Sequence, residues 1–181
     1  VIFALMAISH PILMRYVWEP RVFDPVIGYD IEIFTHPSPP SARHLLGTDP
    51  LGRDILSQLL YGTRFSFILG ISSALISVII ATTIGAVSAY YGGFIDMIFM
   101  RLADVVTMLP FIAILVVLSA LFEFNGFTLA LVYGLLVGFG GQTIVIKSQA
   151  LGIKVKPFIE SARASGGGDW HIILTHMLPN L

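Results

Sequence analysis

Long uncharged stretches alternate along this chain with short polar ones. Residues 65–95 carry no charge between Arg64 and Asp96, residues 105–122 carry none, and residues 124–146 are uncharged as far as Lys147. A helix of about 20 apolar residues crosses roughly 30 Å of hydrocarbon. The pattern therefore predicts three membrane-spanning helices, over about residues 65–90, 95–122 and 125–147. Tyr90-Tyr91-Gly92-Gly93 fits an interfacial aromatic belt followed by a tight reversal. Residues 1–15 are apolar but too short for a full span and lack the charged start and cleavage site of a signal peptide, so they read as a partial first transmembrane helix. The fold class expected is all-α, a polytopic transmembrane helical protein, with both ends looking cut.

Residues 16–63 break this pattern. Pro20, Pro25, Pro37, Pro39 and Pro40 mark an irregular extramembrane loop. After them Asp49 has the chemistry of an N-cap and Pro50 that of a first helical residue. Leu51, Ile55, Leu56, Leu59 and Leu60 then share one face, and Gly62 fits a C-cap. A short amphipathic helix over residues 50–61, lying near the membrane surface, is the expectation.

Composition strengthens the membrane reading: 56% of residues are hydrophobic and 12% charged, about half the charge of a soluble domain. A net charge of −1 gives no basic field to attract nucleic acid. The absence of Cys excludes disulfides and thiolate chemistry. Five cations fall on each side of the predicted spans, and only their greater density around residues 147–163 favours that side as cytoplasmic.

Polar groups inside the spans leave alternatives open. Arg101 and Asp104, three residues apart on one face, fit either a gate or substrate contact or a snorkelling pair near the helix end. Pro110 predicts a kink in the same helix. Gly134 and Gly138 fit close helix packing or a pore wall, and Gln142 belongs to a polar stripe facing a cavity or a neighbouring helix. No catalytic set emerges. Gly166-Gly167-Gly168 is followed by Asp169 rather than Lys, and His171 and His176, five apart, fall on opposite faces of an α-helix. No cofactor or metal is expected.

The C-terminal polar stretch holds the most information. Residues 158–165 predict a short helix rich in small residues, Gly166-Gly167-Gly168 a corner, and Asp169 the cap of a second helix over residues 170–177, ended by Pro179. Two short helices at a glycine corner make either an ordinary interhelix loop or a knob shaped for another protein's groove.

Glu160-Ser161-Ala162, Gly166 four residues after Ala162, and then His176-Met177-Leu178-Pro179 resemble the EAA loop of ABC-importer permease subunits. Ser161 stands where that family usually has Ala, and His176 where many members have Ile. Gly47-Thr48-Asp49, Gly52-Arg53-Asp54, Tyr91-Gly92-Gly93 and Pro179-Asn180 are similar to the peptide and nickel branch of the family. The resemblance runs from about His44 to the end. It implies a type I importer permease fold, with residues 64–181 as permease core and residues 157–179 as a cytoplasmic coupling loop. It also implies import of short peptides, or of nickel chelates or another small solute, across a bacterial or archaeal cytoplasmic membrane. A membrane-embedded enzyme is the distant alternative. The implied partners are two ATPase subunits, a second and different permease subunit, an extracytoplasmic solute-binding protein and the lipid bilayer, with no nucleic acid. Glu160, Ser161, Ala162, Gly166, Asp169, His176, Leu178 and Pro179 would form the ATPase interface, with Glu160 as anchor and Gly166 as corner. Residues 16–63 would lie outside the cell, and further spans would follow residue 181.

Overall fold

A computed structural model describes residues 1–123 and 125–181. Phe124, which opens the last uncharged stretch, lies outside the described residues. Among the described residues the architecture is all helical, apart from one isolated antiparallel bridge between Thr48 and Asp54. The chain divides into two compact units, Val1–Gly70 and Ile71–Leu181.

In the first unit, α1 (Ile2–Tyr16) and the single turn α2 (Pro20–Phe23) precede a coil that folds against residues 47–54. Thr48 and Asp54 hold that coil, while Asp49 and Arg53 brace the turn that carries them. Thr48 Oγ1 accepts the Ser38 amide at 3.0 Å and meets His36 Nδ1 at 2.8 Å. Asp49 Oδ1 accepts the amides of Leu51 and Arg53, while its Oδ2 takes Arg53 Nε at 2.8 Å and Gln58 Nε2 at 3.2 Å. The fully buried His44 ring lies between two carboxylates, with Nδ1 2.8 Å from Asp54 Oδ2 and Nε2 3.1 Å from Asp30 Oδ2. Arg43 Nε, 2.9 Å from the same Asp30 oxygen, closes the cluster. Burial acts to raise the Asp30 carboxyl, but the Glu32 amide, the His44 hydrogen bond and the nearby Arg43 and His44 charges outweigh it and hold it below the ordinary range.

No separate helix forms over residues 50–61. Asp49 caps a turn, Gly52 has φ +81°, and helix begins only at Ile55, where Asp54 Oδ1 accepts the Ser57 amide at 2.6 Å. From there α3 (Ile55–Tyr91) runs unbroken through Gly62, so the apolar face of residues 55–60 is the first part of a long apolar helix. The local cap signal at Asp49 loses because Asp54, five residues on, offers the same chemistry beyond the Gly52 turn.

Among the described residues, α3 is one of two helices long and apolar enough to cross a membrane; the other is the stretch Gly126–Lys154, kinked at Gly140. Between α3 and α4 (Gly93–Met108), Gly92 and Gly93 both have positive φ, at +64° and +53°, which makes the expected reversal. α4 is followed by α5 (Phe111–Leu121) at an 80° bend. This is a break rather than the expected kink: Leu109, before Pro110, is extended at ψ 135° and ends α4 outright. The stretch over residues 95–122 is thus a broken span or a re-entrant pair.

The last long helix comprises α6 (Gly126–Val137) and α7 (Thr143–Lys154), joined through Gly138–Gln142 across a kink at Gly140, whose φ −82° and ψ −137° are not helical. It passes the expected end at residue 147. Lys147 sits inside it and pairs with both Asp96 carboxylate oxygens, at 2.6 and 2.7 Å, fixing α7 to α4. A Cβ on Gly134 would lie 2.7 Å from Ile76 Cβ, and one on Gly138 2.9 Å from the Ser77 carbonyl oxygen. These glycines let α6 lie directly on α3.

Candidate functional site

The C-terminal knob is built by α8 (Pro157–Ala164) and α9 (Asp169–His171), the latter prolonged by a π-helical stretch, Ile172–Met177, and one 3₁₀ turn, Leu178–Asn180. Pro157 at the first position starts α8. At its end the Gly166 amide bonds the Arg163 carbonyl and the Gly167 amide the Ala162 carbonyl, both at 3.0 Å. Gly166 has φ +84°, a backbone state side chains oppose. A Cβ on Gly167 would come within 2.8 Å of the Ala162 oxygen. Two adjacent glycines therefore serve the corner for different reasons.

Below the corner the knob is fixed to the spans. Ile159, Ile172, Ile173 and Met177 are buried in one cluster with Ala86, Ala89 and Tyr90 of α3 and Ala150 and Ile153 of α7. Polar bonds reinforce the seam. The Tyr90 hydroxyl donates to Asp169 Oδ1 at 2.6 Å, the Arg163 guanidinium lies 5.7 Å from the Tyr90 ring centre, and Lys154 Nζ caps the end of α3 through the Ala89 and Tyr90 carbonyls at 3.0 and 2.7 Å. Tyr90, Lys154 and Arg163 carry this attachment. None has a sequence signal beyond a tyrosine at a span end and cations near helix termini.

The expected site residues divide accordingly. Asp169 does not cap the second helix: Gly168 holds that position, and the Asp169 carboxylate is turned to Tyr90. Glu160 is exposed and makes no side-chain bond among the described residues. Ser161 donates back to the Pro157 carbonyl at 3.0 Å. Ser161, Ala162, Gly166, Gly168, His171 and His176 line one open depression of about 610 Å³ on the outer side of the knob. The two histidines do not fall on opposite faces: their ring centres are 5.3 Å apart, edge to face. A π-helical turn closes i to i+5, which brings residues five apart into register. Leu178 packs against the buried cluster, and Pro179 lies in the terminal 3₁₀ turn.

The candidates within the spans stay apart from the knob. Arg101 and Asp104 form an exposed pair at 3.7 Å. Gln142 lines a cavity of about 510 Å³ with Val78, Ala81, Thr82 and Val145, an apolar wall without a charge. Arg101 and Asp104 are not among the residues lining that cavity.

Residues 81–181 match the family described as binding-protein-dependent transport system inner membrane component. That stretch contains the glycine reversal, the broken pair, the last long helix and the whole knob. The chain belongs to this family. It is a family of multi-pass inner-membrane transport components, not of catalysts. Similar members include a glutathione transport system permease protein of Pectobacterium atrosepticum, 38% identical over 77% of this chain and 46% of the relative. An oligopeptide transport system permease protein of Haemophilus influenzae is 39% identical over 76% of this chain and 44% of its own length. A dipeptide transport system permease protein of Bacillus subtilis is 35% identical over 78% and 44%. The chain spans about half the length of the curated relatives it matches.

Proposed function

We propose that this chain is part of a permease subunit that imports short peptides, using ATP hydrolysed by two separate subunits that grip the C-terminal knob. The supporting observation is the two-sided build of that knob. Its inner side is locked to α3 and α7 by the Ile159–Ile172–Met177 cluster and the Tyr90–Asp169 bond, while its outer side presents small residues and the histidine pair around an open depression. Glu160 is exposed on α8. A rigid body fastened to two long apolar helices, with a smooth outward face, can turn a push from a soluble partner into tilting of those helices. The relatives' names supply the solute class: glutathione, oligopeptide and dipeptide transport. In this reading residues 157–179 face the cytoplasm and residues 16–63 face outward, where a solute-binding protein delivers its load. A second, different permease subunit completes the path. Arg101, Asp104 and Gln142 are the candidate path residues, Gln142 as the single side-chain amide in a mostly apolar cavity wall that also holds Thr82.

Glu160→Lys in the full-length subunit is expected to abolish co-purification of the ATPase subunits while leaving the permease in the membrane. Retained association and peptide uptake in that variant would remove the docking role.

A further inference from the structure

The end of α1, the residues after α2 and the early turns of α3 enclose an open pocket of about 410 Å³ that the transport reading does not use. Its wall carries charge of both signs: Arg15 and Arg64 on one hand, Asp24 on the other, with Tyr61 beside them. Neither arginine forms an ion pair with any described residue. Asp24 Oδ1 accepts the amides of Val26 at 2.8 Å and Ile27 at 2.9 Å. Those bonds, the Ile27 amide foremost, hold its carboxyl below the ordinary range, so it is ionised at neutral pH. Its Oδ2 takes no hydrogen bond among the described residues. Behind them the His10 ring, 6% exposed, is packed against Trp18 and Tyr61, with neither nitrogen bonded among the described residues.

The pocket does not stop at its charged wall. Tyr61 and Arg64 are shared with an apolar groove of about 300 Å³ lined by Phe65 and Ile68, which follows α3 into its uncharged stretch. The chamber wall is mixed polar and apolar. Its two guanidinium groups lie outside any ion pair among the described residues, Arg15 resting over the Tyr16 ring, and one carboxylate oxygen has no hydrogen bond there. Opening onto an apolar groove, such a chamber has the shape and charge of an amphiphile site. We propose that it binds a phospholipid whose headgroup carries both a phosphate and a primary ammonium. The phosphate lies against Arg15 and Arg64, where guanidinium geometry favours paired bonds. The ammonium donates to Asp24 Oδ2, and an acyl chain follows Phe65 and Ile68. A glycerol headgroup would place only neutral hydroxyls at Asp24, with no cation to pair with the carboxylate, and a choline group has no N–H to donate. A short peptide shares the two charges but has no chain to fill the groove. The inference rests on the family's inner-membrane location, and neither the solute nor the ATPase contact enters it.

The test is lipid retention by the full-length subunit in its assembled complex, purified from nanodiscs holding equal parts ethanolamine, glycerol and choline phospholipids and read by native mass spectrometry. Wild type is expected to retain ethanolamine lipid preferentially. Arg64→Gln should lower its occupancy about tenfold, the loss of one charge-assisted bond, and Arg64→Lys should restore part of it. Asp24→Asn should erase the preference for ethanolamine over glycerol lipid without emptying the site. Equal retention of all three lipids by wild type overturns the proposal, as does a headgroup preference unchanged in Asp24→Asn. Displacement of the bound mass by a short peptide would assign the pocket to solute and equally overturn it. If Arg64→Gln does not assemble, the Asp24→Asn comparison decides alone. ATPase co-purification in the same samples reports separately on the docking reading.

Discussion

At Gly47 an added Cβ would lie 2.3 Å from the Ser38 carbonyl oxygen, and φ is already +77°. Both conditions oppose any side chain, so Gly47→Ala is expected to cost about 2 kcal/mol or more. The loss should appear as faster proteolysis of residues 16–46 in the otherwise intact protein. The neighbouring carboxylates set the acid limit of the same clasp. Burial pushes Asp49 upward, yet the Arg53 side chain and amide, Gln58 and the Leu51 amide hold it below its ordinary 3.8, and Asp30 is likewise lowered. A carboxyl lowered by folding contributes stability that is complete above its unfolded value and is lost as pH falls through the folded one. The loop should therefore keep its protease resistance from neutral pH down to about pH 4 and lose it progressively below. Loosening between pH 7 and pH 5 would contradict that account.

At the scale of elements, the attachment of the knob to α3 is the contact that matters for transmission. Tyr90→Phe keeps the ring in its packing and removes the hydroxyl, with its bond to Asp169, a hydrogen bond to a charged group worth about 1.5 kcal/mol or more, and its contact with the Arg163 side chain. In reconstituted transporter this variant is expected to hydrolyse ATP with fewer peptides imported per ATP. Asp169→Ala removes the acceptor and should act alike, and the double variant should be little worse than either, because the Tyr90–Asp169 bond is lost in all three. A parallel fall in hydrolysis and uptake would mean that the bond only holds the fold. Asp96→Asn would leave Lys147 half-buried without its ion pair and is expected to lower the unfolding midpoint, by about 1 kcal/mol in stability.

The same elements show what a single sequence reveals. The uncharged stretches and the glycine reversal at residues 92–93 follow from transfer energies and positive φ, which are local, and they are legible. The EAA-like pattern located the knob, because a corner needs glycine whatever surrounds it. The helix start at Ile55 and the Asp169 carboxylate were misread, since each depends on competition. Asp54 outbids Asp49 as cap, and Tyr90, 79 residues away in sequence, claims the carboxylate that could have capped α9. The π-helical stretch that brings His171 beside His176 has no periodicity signal of its own.

For the whole molecule, the family fixes a multi-pass inner-membrane transport component, and the geometry adds one compact knob packed on the C-terminal ends of α3 and α7. Residues 1–181 contain no Cys, so a thiol engineered there is unique within them, and any cysteine elsewhere in the full-length subunit is first replaced by Ser. The most direct measurement is disulfide cross-linking of Ser161→Cys to a cysteine placed in the ATPase groove, in inverted vesicles with and without ATP, beside an Arg43→Cys control. The account predicts rapid cross-linking at residue 161, altered in extent by ATP, and none at residue 43. Cross-linking at residue 43, or none at residue 161 while the complex remains assembled and active, would contradict it.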